Sequence, residues 1–520
     1  MISRKVTIGL VIGLTCVVLL GILITGCLKP EKALKQELTI GVGGWAGPSD
    51  IISPMGGSAD HLVFETLVMM DQNKNFKPLL AKSWDISDDG KIYTFHLRDK
   101  VKFHDGTQLT ANDVKFSINY FKYPPLMSII KDIQVIDDHT VKFILKRPCP
   151  QFLFELHFGG AIIKPTEYEN GVVTNAVGSG PFKLGDYAKD QYFTLIKNEN
   201  YWGGNVKLGK VTFKVIPSPH TRVMALENGE IDMTGTDAGS HIPADAISEL
   251  KNIPSLELMR SEKTGFRIDV VAFNCLKSPF NDLRVRKAVC YAIDKNALNI
   301  ILGESGRVVD GPVFPETEWY NPTIKGYPYD LEKAKKLLAE AGWVDTDGDG
   351  IIEKDGKPFK VSFVISPVNP VWSNIAEAIQ AQLKEVGIDV KIRVLETGAL
   401  FAALSRGNFD MTIKVDTGTP RVPPDFSHTY YSIPRAGGWG AKLIENETLD
   451  HLINQYPSTL DHGKQLELAY EIQEVINENR PVALYIEDYR IIAMNKKVQG
   501  FEPMPGWSSL RYLWKVNIEE

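Results

Sequence analysis

Apolar and polar residues follow two patterns along this chain, one with the two-residue period of a strand and one with the period of a helix. Residues 93–97, 141–145 and 388–394 alternate apolar and polar side chains, as half-buried strands do, and residues 38–42 form a predicted first strand. Helix-like segments separate these strands along the chain. The order strand, helix, strand predicts an α/β protein built from mixed sheets.

The first predicted helix carries clear start and stop signals. Thr110 stands three residues before Asp113, which is the spacing of a capping box, and the helix is predicted to run through Phe121. Pro124 and Pro125 are expected to mark its end. These signals place a helix between two of the predicted strands.

Three further helices are predicted in the second half of the chain. Asn281, Asp330 and Ser373 are the predicted N-terminal caps, because each polar side chain precedes an apolar stripe with helical spacing. Gly342 and Gly387 are the predicted stops of the second and third. The 520 residues exceed what one hydrophobic core usually serves, and the sequence has no internal repeat, so two or more lobes are expected and not a solenoid.

The N-terminus has the pattern of a secretory signal. Arg4 and Lys5 precede an uncharged run at residues 6–24, and the small residues Thr25 and Gly26 follow. This run then ends on Cys27, which is similar to the lipobox of an exported lipoprotein.

Cleavage before Cys27 would remove residues 1–26 as a signal peptide and leave residues 27–37 as a polar tether. Acyl chains on the Cys27 thiol would then hold the protein at a bilayer, since two chains anchor a protein where one lets go. The alternative is an uncleaved transmembrane anchor, because residues 6–24 are just long enough to span. Both alternatives place the rest of the chain on the outer side of the cytoplasmic membrane, in a periplasm or at a cell surface.

The charge balance narrows the class of partner. The chain has 58 basic and 64 acidic residues, and removal of the signal lowers the basic count to 56, so the mature net charge is −8. A nucleic-acid partner is excluded, because such proteins carry a basic stripe. We expect a monomer that needs no cofactor.

Cysteine usage leaves one question open. Loss of Cys16 and lipidation of Cys27 leave Cys149, Cys275 and Cys290, so one disulfide among these three is an alternative to three free thiols. No pair has the CxxC spacing of a metal site.

Three motifs of hydrolytic enzymes are absent from the sequence. It contains no HExxH zinc motif, no GxSxG nucleophile elbow and no SxxK motif with its companions. We therefore expect a protein without enzymatic activity. An exported hydrolase with an unrecognised site is the alternative from a different class.

An acidic loop at residues 345–353 has the alternating carboxylates of a calcium loop, with a glycine at the sixth position. The acidic residue expected at the twelfth position is replaced by Gly356, although Glu353 or Asp355 could close the shell. A structural calcium ion and an empty Asp/Gly turn are equally well supported. The candidate ligands are Asp345, Asp347, Asp349, Ile351 and Glu353.

Several sequence segments together resemble the peptide/nickel-binding family, family 5, of extracytoplasmic solute-binding proteins, which are the receptor subunits of ATP-driven ABC importers. The match extends along nearly the whole mature chain. The segments that carry it are FETLV at 64–68, PLLAKSW at 78–84, KFHDG at 102–106, TANDV at 110–114, GSGPF at 178–182, NYWG at 200–203, GEID at 229–232 and RVRKA at 284–288.

The resemblance implies a fold of two α/β lobes joined by a hinge, that is, the class II periplasmic-binding-protein fold with mixed sheets and an extra subdomain in the first lobe. Residues 38–267 and 487–520 would form lobe I with this inserted subdomain, and residues 268–486 would form lobe II. The chain would cross between lobes twice, and the lobes would close on the ligand.

The resemblance also implies where a ligand would bind. Peptide binders of the family hold the ligand amine with an aspartate, and the matching stretch at 414–420 keeps Asp416 but lacks the family's tryptophan. Nickel-chelate binders use an arginine in a stretch that reads FGGA at 158–161 here. Arg421 is the predicted partner of a ligand carboxylate. The predicted walls and loops of the pocket are Trp45, Met55, Tyr430, Tyr431, Trp439, Trp507 and Ser509.

The function implied is capture of short peptides and their delivery to a membrane permease driven by a cytoplasmic ATPase. Such a ligand would be held by its backbone and charged ends. A receptor for chelated nickel is the alternative within the family, and the ten histidines form no local cluster that would hold a bare metal ion.

Overall fold

The chain folds around two mixed β-sheets, one with seven strands and one with six. The structure is a computed structural model. It describes residues 36–43, 59–71, 73, 75–164, 168–169, 172–173, 176–235, 240–260, 267–367, 369–415, 423–430, 443–503 and 510–519. No helix within these ranges combines the length and the apolar character needed to cross a bilayer.

The strands of the first half, in chain order, are β1 (Glu37–Val42), β2 (Val68–Met70), β3 (Phe76–Pro78), β4 (Ala81–Ile86), β5 (Ile92–Leu97), β6 (Ile130–Asp137), β7 (Thr140–Leu145), β8 (Tyr168–Glu169), β9 (Val172–Val173), β10 (Phe182–Ala188), β11 (Tyr192–Lys197), β12 (Lys210–Val215), β13 (Met233–Thr234) and β14 (Leu256–Arg260). Those of the second half are β15 (Arg267–Phe273), β16 (Gly306–Val309), β17 (Glu353–Lys354), β18 (Lys357–Pro358), β19 (Lys360–Ile365), β20 (Asp389–Val394), β21 (Met411–Val415), β22 (Val482–Asp488), β23 (Ile491–Asn495), β24 (Val498–Gln499) and β25 (Asn517–Ile518).

The α-helices, in chain order, are α1 (Asp60–Val63), α2 (Ala111–Phe121), α3 (Pro124–Ile129), α4 (Phe152–Gly159), α5 (Pro219–Glu227), α6 (Ala244–Leu250), α7 (Leu283–Ala292), α8 (Lys295–Leu302), α9 (Leu331–Glu340), α10 (Pro370–Lys384), α11 (Thr397–Ser405), α12 (Ser427–Tyr430), α13 (Glu447–Gln455) and α14 (His462–Asn479). Short 3₁₀ turns occupy Gly303–Ser305, Tyr456–Ser458 and Leu513–Lys515.

Each of the two large sheets combines parallel and antiparallel pairs of strands. The seven-stranded sheet has the order β10-β11-β12-β1-β13-β23-β14, and β1 is parallel to both β12 and β13. The six-stranded sheet has the order β16-β22-β15-β21-β19-β20, and β19 is parallel to both β20 and β21. This arrangement confirms the predicted α/β class with mixed sheets.

Each large sheet has its own hydrophobic core. Phe182, Phe193 and Phe213 are buried in the core of the seven-stranded sheet, where the rings of Phe193 and Phe213 stack with their centroids 4.4 Å apart. Phe273 and Phe280 stack in the same way in the core of the six-stranded sheet. Burial of about 150–250 Å² by each aromatic side chain makes these contacts large contributors to the stability of each sheet.

A smaller antiparallel sheet, β4-β5-β7-β6, forms a third core between β1 and β10 in the sequence. Phe95 and Phe143 are fully buried there, and their rings meet edge to face at 5.6 Å. Helix α2 packs against β6 and β7 of this sheet. Its predicted capping box is present, with Thr110 and Asp113 satisfying each other's backbone N–H groups.

Helix starts in the second half were predicted less accurately. Asp330 caps α9 as predicted, and its side chain accepts from the backbone N–H of Lys333 at 2.9 Å. The caps of α7 and α10 are Asp282 and Asn369, so the predictions of Asn281 and Ser373 were wrong by one and four residues.

Proline also behaves differently from the prediction. Helix α2 ends at Phe121 as expected, but Pro124 begins α3 and does not merely follow a stop. The first helical position suits proline, because its fixed φ fits a helix and its missing N–H would have no partner there.

The chain crosses between the two large sheets twice. Strand β14 ends at Arg260 and β15 begins at Arg267, while β22 ends at Asp488 and β23 begins at Ile491. The second crossing therefore consists of Tyr489 and Arg490 and lies two residues beyond the boundary expected from the sequence. The predicted division into two lobes agrees with this arrangement of sheets and stays a prediction.

Candidate ligand-binding site

The carboxyl ends of the parallel strands lie at adjoining edges of the two large sheets. In the seven-stranded sheet, β1, β12 and β13 all end at one edge, and the antiparallel strand β23 begins there. In the six-stranded sheet, β19, β21 and β22 end at one edge, where β15 begins. Both crossings therefore run from one carboxyl edge to the other. Ligands of α/β proteins bind at such edges, so this is the candidate site.

Polar groups mark the edge of the six-stranded sheet. Asp269, Asn369, Trp372 and Asp488 line a small cavity there together with Ser305 and apolar side chains. The Trp372 indole donates to Asp269 Oδ2 at 2.7 Å, and both side chains are buried. Asn369 caps α10, so the N-terminus of this helix begins at the same edge. The edge thus combines buried carboxylates with a helix N-terminus.

The edge of the seven-stranded sheet is joined to it by a buried hydrogen bond. His241 Nε2 lies 3.2 Å from Asp488 Oδ2, and the two side chains are only 8% and 6% exposed. Ser240, the preceding residue, accepts from the backbone N–H of Gly43 at 3.0 Å, directly after β1. His241 therefore connects the end of β1 to the end of β22.

Tyr489, in the second crossing, lies between arginines of the two sheets. The Arg260 guanidinium is 4.4 Å from the ring centroid, and that of Arg307 is 6.0 Å from it. Arg307 Nε also donates to Glu487 at 2.7 Å. Burial raises the pKa of Tyr489 to about 12, so its hydroxyl stays protonated. We call His241, Arg260, Arg307, Asp488 and Tyr489 the crossover cluster.

A second connection, between the smaller sheet and the six-stranded sheet's side of the molecule, is much weaker. Arg147 Nη1 donates to Ser458 Oγ at 3.2 Å, and these residues follow β7 and α13. At the β4–β5 turn, Leu460 approaches Gly90 so closely that a Cβ there would lie 2.7 Å from Leu460 Cδ2. We call these two contacts the rim contacts, because they join the smaller sheet to the six-stranded sheet's side of the molecule.

Three of the sequence motifs meet at one buried carboxyl group. Glu65, from FETLV, accepts from Ser179 Oγ at 2.8 Å, from Tyr201 Oη at 2.9 Å and from Trp202 Nε1 at 2.7 Å. Burial raises the pKa of Glu65 to about 7, against the opposing effect of these three hydrogen bonds and of Arg511. The motifs are therefore held together by one network inside the first part of the fold.

Next to this network lies a buried cluster of cationic and imidazole groups. Arg511 Nη2 is 2.8 Å from His61 Nδ1, and the His61 ring stacks on that of His157 with centroids 5.8 Å apart. Burial, with Arg511 next in importance, holds the pKa of both histidines well below 6.5. Burial also lowers the pKa of Arg511 to about 10, so its guanidinium is charged at neutral pH while both rings are neutral.

The acidic loop brings its predicted ligands together. One carboxylate oxygen from each of Asp345, Asp347, Asp349 and Glu353 lies within 4.8 Å of the others. Backbone N–H groups within the loop hold these carboxylates in place, including that of Ile351, which donates to Asp349 at 2.8 Å. The oxygen-only ligand set suits a hard cation. Calcium binding at this loop stays a prediction.

Most of the predicted ligand-binding residues lie outside the described residues. These are Trp45, Met55, Asp416, Arg421, Tyr431, Trp439, Trp507 and Ser509, as is the predicted lipidation site Cys27. Tyr430 is described: it ends α12 and is 1% exposed in a cluster with Phe426 and Tyr456. Its part in a pocket wall stays a prediction.

The three remaining cysteines carry free thiols, which answers the question left open by the sequence. Cys149 and Cys290 are buried and Cys275 is partly buried. Burial raises the pKa of Cys149 and of Cys275 to about 12 and raises that of Cys290 as well. All three are therefore in the unreactive thiol form at neutral pH.

Sequence reasoning missed His61, His241, Asp488 and Arg511. None of them belongs to a spacing pattern in the sequence, and other polar residues stand near each of them. Their partners come from distant parts of the chain, so no local pattern identifies them.

Comparison with known proteins identifies relatives along most of the chain. Residues 75–438 match the family model of bacterial extracellular solute-binding proteins, family 5 (middle). The dipeptide-binding protein of Escherichia coli K12 is 30% identical over 468 residues, which cover 82% of this chain and 83% of that protein. The nickel-binding periplasmic protein of the same strain is 30% identical over 431 residues, 80% of this chain and 81% of that protein.

The fold is also similar to solved structures. The oligopeptide-binding protein AppA of Bacillus subtilis, solved in complex with a nonapeptide, superposes with a TM-score of 0.79. The two chains are 26% identical, and the superposition covers 93% of this chain and 99% of AppA. The likeness therefore includes both large sheets and the smaller one.

Proposed function

This chain belongs to the bacterial extracellular solute-binding proteins of family 5, and from that premise we propose that it captures short peptides for an ABC importer. Proteins of this family are extracytoplasmic receptors for transport and have no enzymatic activity.

The observation that carries the proposal is the adjoining of the two carboxyl edges. Two sheets with separate cores, between which the chain crosses by short segments next to those edges, can rotate against each other without disturbing either core. Residues 38–267 with 487–520 would act as lobe I, and residues 268–486 as lobe II. A ligand held between the edges is released when the lobes part, as in hinge closure.

A peptide is favoured over a nickel chelate by what the relatives bind and by the groups at the edge. Relatives are named for dipeptide and nickel binding, and AppA was solved with a nonapeptide. Buried carboxylates at the edge of the six-stranded sheet, Asp269 and Asp488, favour a ligand that carries a positive amine on that side. The receptor for chelated nickel is the second candidate.

Native mass spectrometry of the protein purified from its own host, together with nickel analysis, tests this choice. Peptide capture predicts added masses that correspond to short peptides and no nickel above background. Recovery of nickel with an organic chelator, and no peptide, would instead establish the second candidate. Incubation with peptides should leave them intact, and any turnover would contradict the assignment as a receptor.

We propose that Cys27 carries the lipid that keeps the receptor near its permease. In the expressing host, the wild-type chain should fractionate with membranes. Cys27→Ser should release it into the soluble extracytoplasmic fraction if lipid is the anchor. If the variant stays in the membrane, residues 6–24 act as a transmembrane anchor instead.

We also propose that the acidic loop binds a structural calcium ion. Calcium at about 100 times its dissociation constant would raise the free energy of unfolding by about 2.7 kcal/mol. A calcium-dependent rise in the melting temperature, reversed by a chelator and reduced in Asp347→Asn, would support the site. Asp99→Asn changes an exposed carboxylate outside the loop and serves as the matched control.

A further inference from the structure

The Arg511 side chain has more hydrogen-bond donors than the described residues around it provide acceptors. Its guanidinium is buried, with the whole residue 4% exposed, and its Nη2 group lies 2.8 Å from His61 Nδ1. Its Nε and Nη1 groups are buried and have no hydrogen-bond partner in the part of the chain that the structure describes. Two of the guanidinium's three nitrogens therefore have their N–H groups unused.

His61 adds a third unused donor. A guanidinium can only donate, so His61 Nδ1 must be the acceptor in the contact with Arg511. Because burial keeps the pKa of His61 well below 6.5, the ring is neutral and its single proton resides on Nε2. This Nε2 group is also buried without a partner among the described residues. The pair thus presents three donor nitrogens, Arg511 Nε and Nη1 and His61 Nε2, and no free acceptor.

The described neighbours do not supply the missing acceptor. The carboxyl group with the largest electrostatic effect on Arg511 is that of Glu65, whose oxygens already accept from Ser179, Tyr201 and Trp202. A buried donor without a partner destabilises the protein, and a charged one does so more strongly. Such a group needs an explanation, and an acceptor on a bound ligand provides one.

A second buried arginine shows what a purely structural role looks like in this protein. Arg286 is 5% exposed, and its Nε and Nη2 groups both donate to the Asn479 carbonyl, at 3.0 and 2.7 Å. Its Nη1 group donates to the Phe280 carbonyl at 2.6 Å. All three nitrogens of this arginine are therefore satisfied by backbone oxygens. Arg511 differs from Arg286 in its unused donors and not in its burial.

We propose that Arg511 and His61 bind a carboxylate of the ligand. A carboxylate has two acceptor oxygens, matches the planar fork of a guanidinium and brings the negative charge that this cluster lacks. Arg511 thereby takes the role that the sequence analysis gave to Arg421. The proposal rests on the proposed capture of peptides and sharpens it, since it assigns the C-terminal carboxylate to the first sheet's side and leaves the amine to the second.

The charges on the two sides of the molecule agree with this role. His61 and Arg511 are adjacent in the chain to Leu62 and Leu510, which belong to the core of the seven-stranded sheet. The buried acidic groups Asp269 and Asp488 belong to the opposite sheet. A peptide has a negative and a positive end, and the two sides offer charges of the complementary signs.

The test compares peptides that differ only in their C-terminal group. A pool of peptides of two to nine residues, matching the ligand lengths named for two relatives, is offered with free and with amidated C termini. Binding is measured by native mass spectrometry, and dissociation constants of the best ligands are measured by calorimetry. The wild type is expected to prefer the free acid by about 10- to 100-fold, as for a charge-assisted pair.

Variants assign that preference to the residue. Arg511→Gln should bind the acid and the amide equally, and Arg511→Lys should keep part of the preference because it keeps the charge. Arg286→Lys is the matched control and should keep all of it, while near-UV circular dichroism checks that each variant is folded. A folded Arg511→Gln variant that still prefers the acid would overturn the proposal.

The wild type alone keeps the proposal falsifiable if Arg511→Gln does not fold. Equal binding of acids and amides by the wild type would overturn the carboxylate site and leave peptide capture standing. Binding of neither pool would instead contradict peptide capture itself. An arm with sodium acetate distinguishes a free small anion from the ligand's own carboxylate: acetate that binds while acids and amides bind equally also overturns the proposal.

Discussion

The crossover cluster and the rim contacts connect the six-stranded sheet's side of the molecule to the rest of the chain in very different ways. At the crossings, the His241–Asp488 bond is almost inaccessible to solvent, and Tyr489 is held between two arginines. At the rim, one hydrogen bond from Arg147 and one apolar contact at Leu460 make the connection. Buried groups that are hydrogen-bonded to each other are costly to separate, whereas exposed contacts exchange readily with water.

This difference indicates where the molecule can open. Separation at the rim costs little, because water replaces the Arg147 bond and Leu460 is already 48% exposed. Separation at the crossover cluster would leave a buried carboxylate without its partner. The two sheets are therefore expected to rotate about the crossings and to part at the rim.

Removing the carboxylate of the crossover cluster should have the largest effect. Asp488→Ala leaves His241 buried without its acceptor, so we expect the free energy of unfolding in urea to fall by about 3 kcal/mol. Asp488→Asn still offers an oxygen to His241 and should lose less. A loss below about 0.5 kcal/mol for the alanine variant, which is typical of surface sites, would show that the crossover cluster does not hold the edges together.

Glu65, a buried carboxyl group away from both the crossover cluster and the rim contacts, gives a reference value for the change in the free energy of unfolding. The pKa of Glu65 is raised from 4.5 to about 7, so the native state keeps the proton to higher pH than the unfolded state does. Its stabilising effect is present below pH 4.5 and is lost as the pH rises through 7. The shift corresponds to about 3 kcal/mol.

Urea unfolding at pH 5 and pH 8 measures this effect against Glu65→Gln, which mimics the protonated group. The stability of the wild type relative to this variant should fall by about 2.5 kcal/mol between the two pH values. Glu199→Gln, at an exposed carboxylate, is the control and should show almost no such change. An unchanged difference for Glu65→Gln would mean that Glu65 is ionised throughout, with Arg511 as its counter-ion.

The aromatic ring of the second crossing should contribute a moderate amount. Tyr489→Leu removes two cation–π contacts worth about 0.5–1 kcal/mol each, so we expect the free energy of unfolding to fall by about 1–2 kcal/mol. Tyr489→Phe keeps the ring and should behave like the wild type. If the phenylalanine variant loses as much as the leucine variant, the hydroxyl group and not the ring carries the effect.

The rim contacts should have the smallest effect on unfolding. Arg147→Ala and Leu460→Ala are each expected to lower the free energy of unfolding by about 0.5 kcal/mol or less. Small-angle scattering should nevertheless show a larger radius of gyration for the ligand-free double variant, because the closed form loses its contacts. A loss of stability as large as that of Asp488→Ala would contradict the comparison.

Much of the fold could be predicted because its signals are local. The capping box at Thr110 and the cap at Asp330 involve residues within three positions of each other, and both were predicted correctly. The cap at Asn369 was missed because Ser373 is also a good cap within the same stretch. The sequence alone does not decide between two caps of similar quality, whereas packing of the helix against the sheet does.

The candidate site was less predictable because its parts meet only in the folded chain. Glu65 belongs to a motif that the sequence shows, but its hydrogen bonds to Ser179 and Tyr201 depend on tertiary structure. Arg511 and His61 are 450 residues apart and share no pattern. The family resemblance identified the scaffold, and the charges at the edges became visible only when the strands were placed.

The low reactivity of the three native thiols has a practical consequence for fluorescence measurements on this protein. In a form that begins after Cys27 and carries Leu460→Cys, the introduced sulfur would be the one that a maleimide dye finds accessible, because Cys149, Cys275 and Cys290 are shielded and protonated. A single fluorophore placed there would change its emission as the gap widens or narrows. A fluorescent reporter of ligand binding can therefore be made without first replacing Cys149, Cys275 or Cys290.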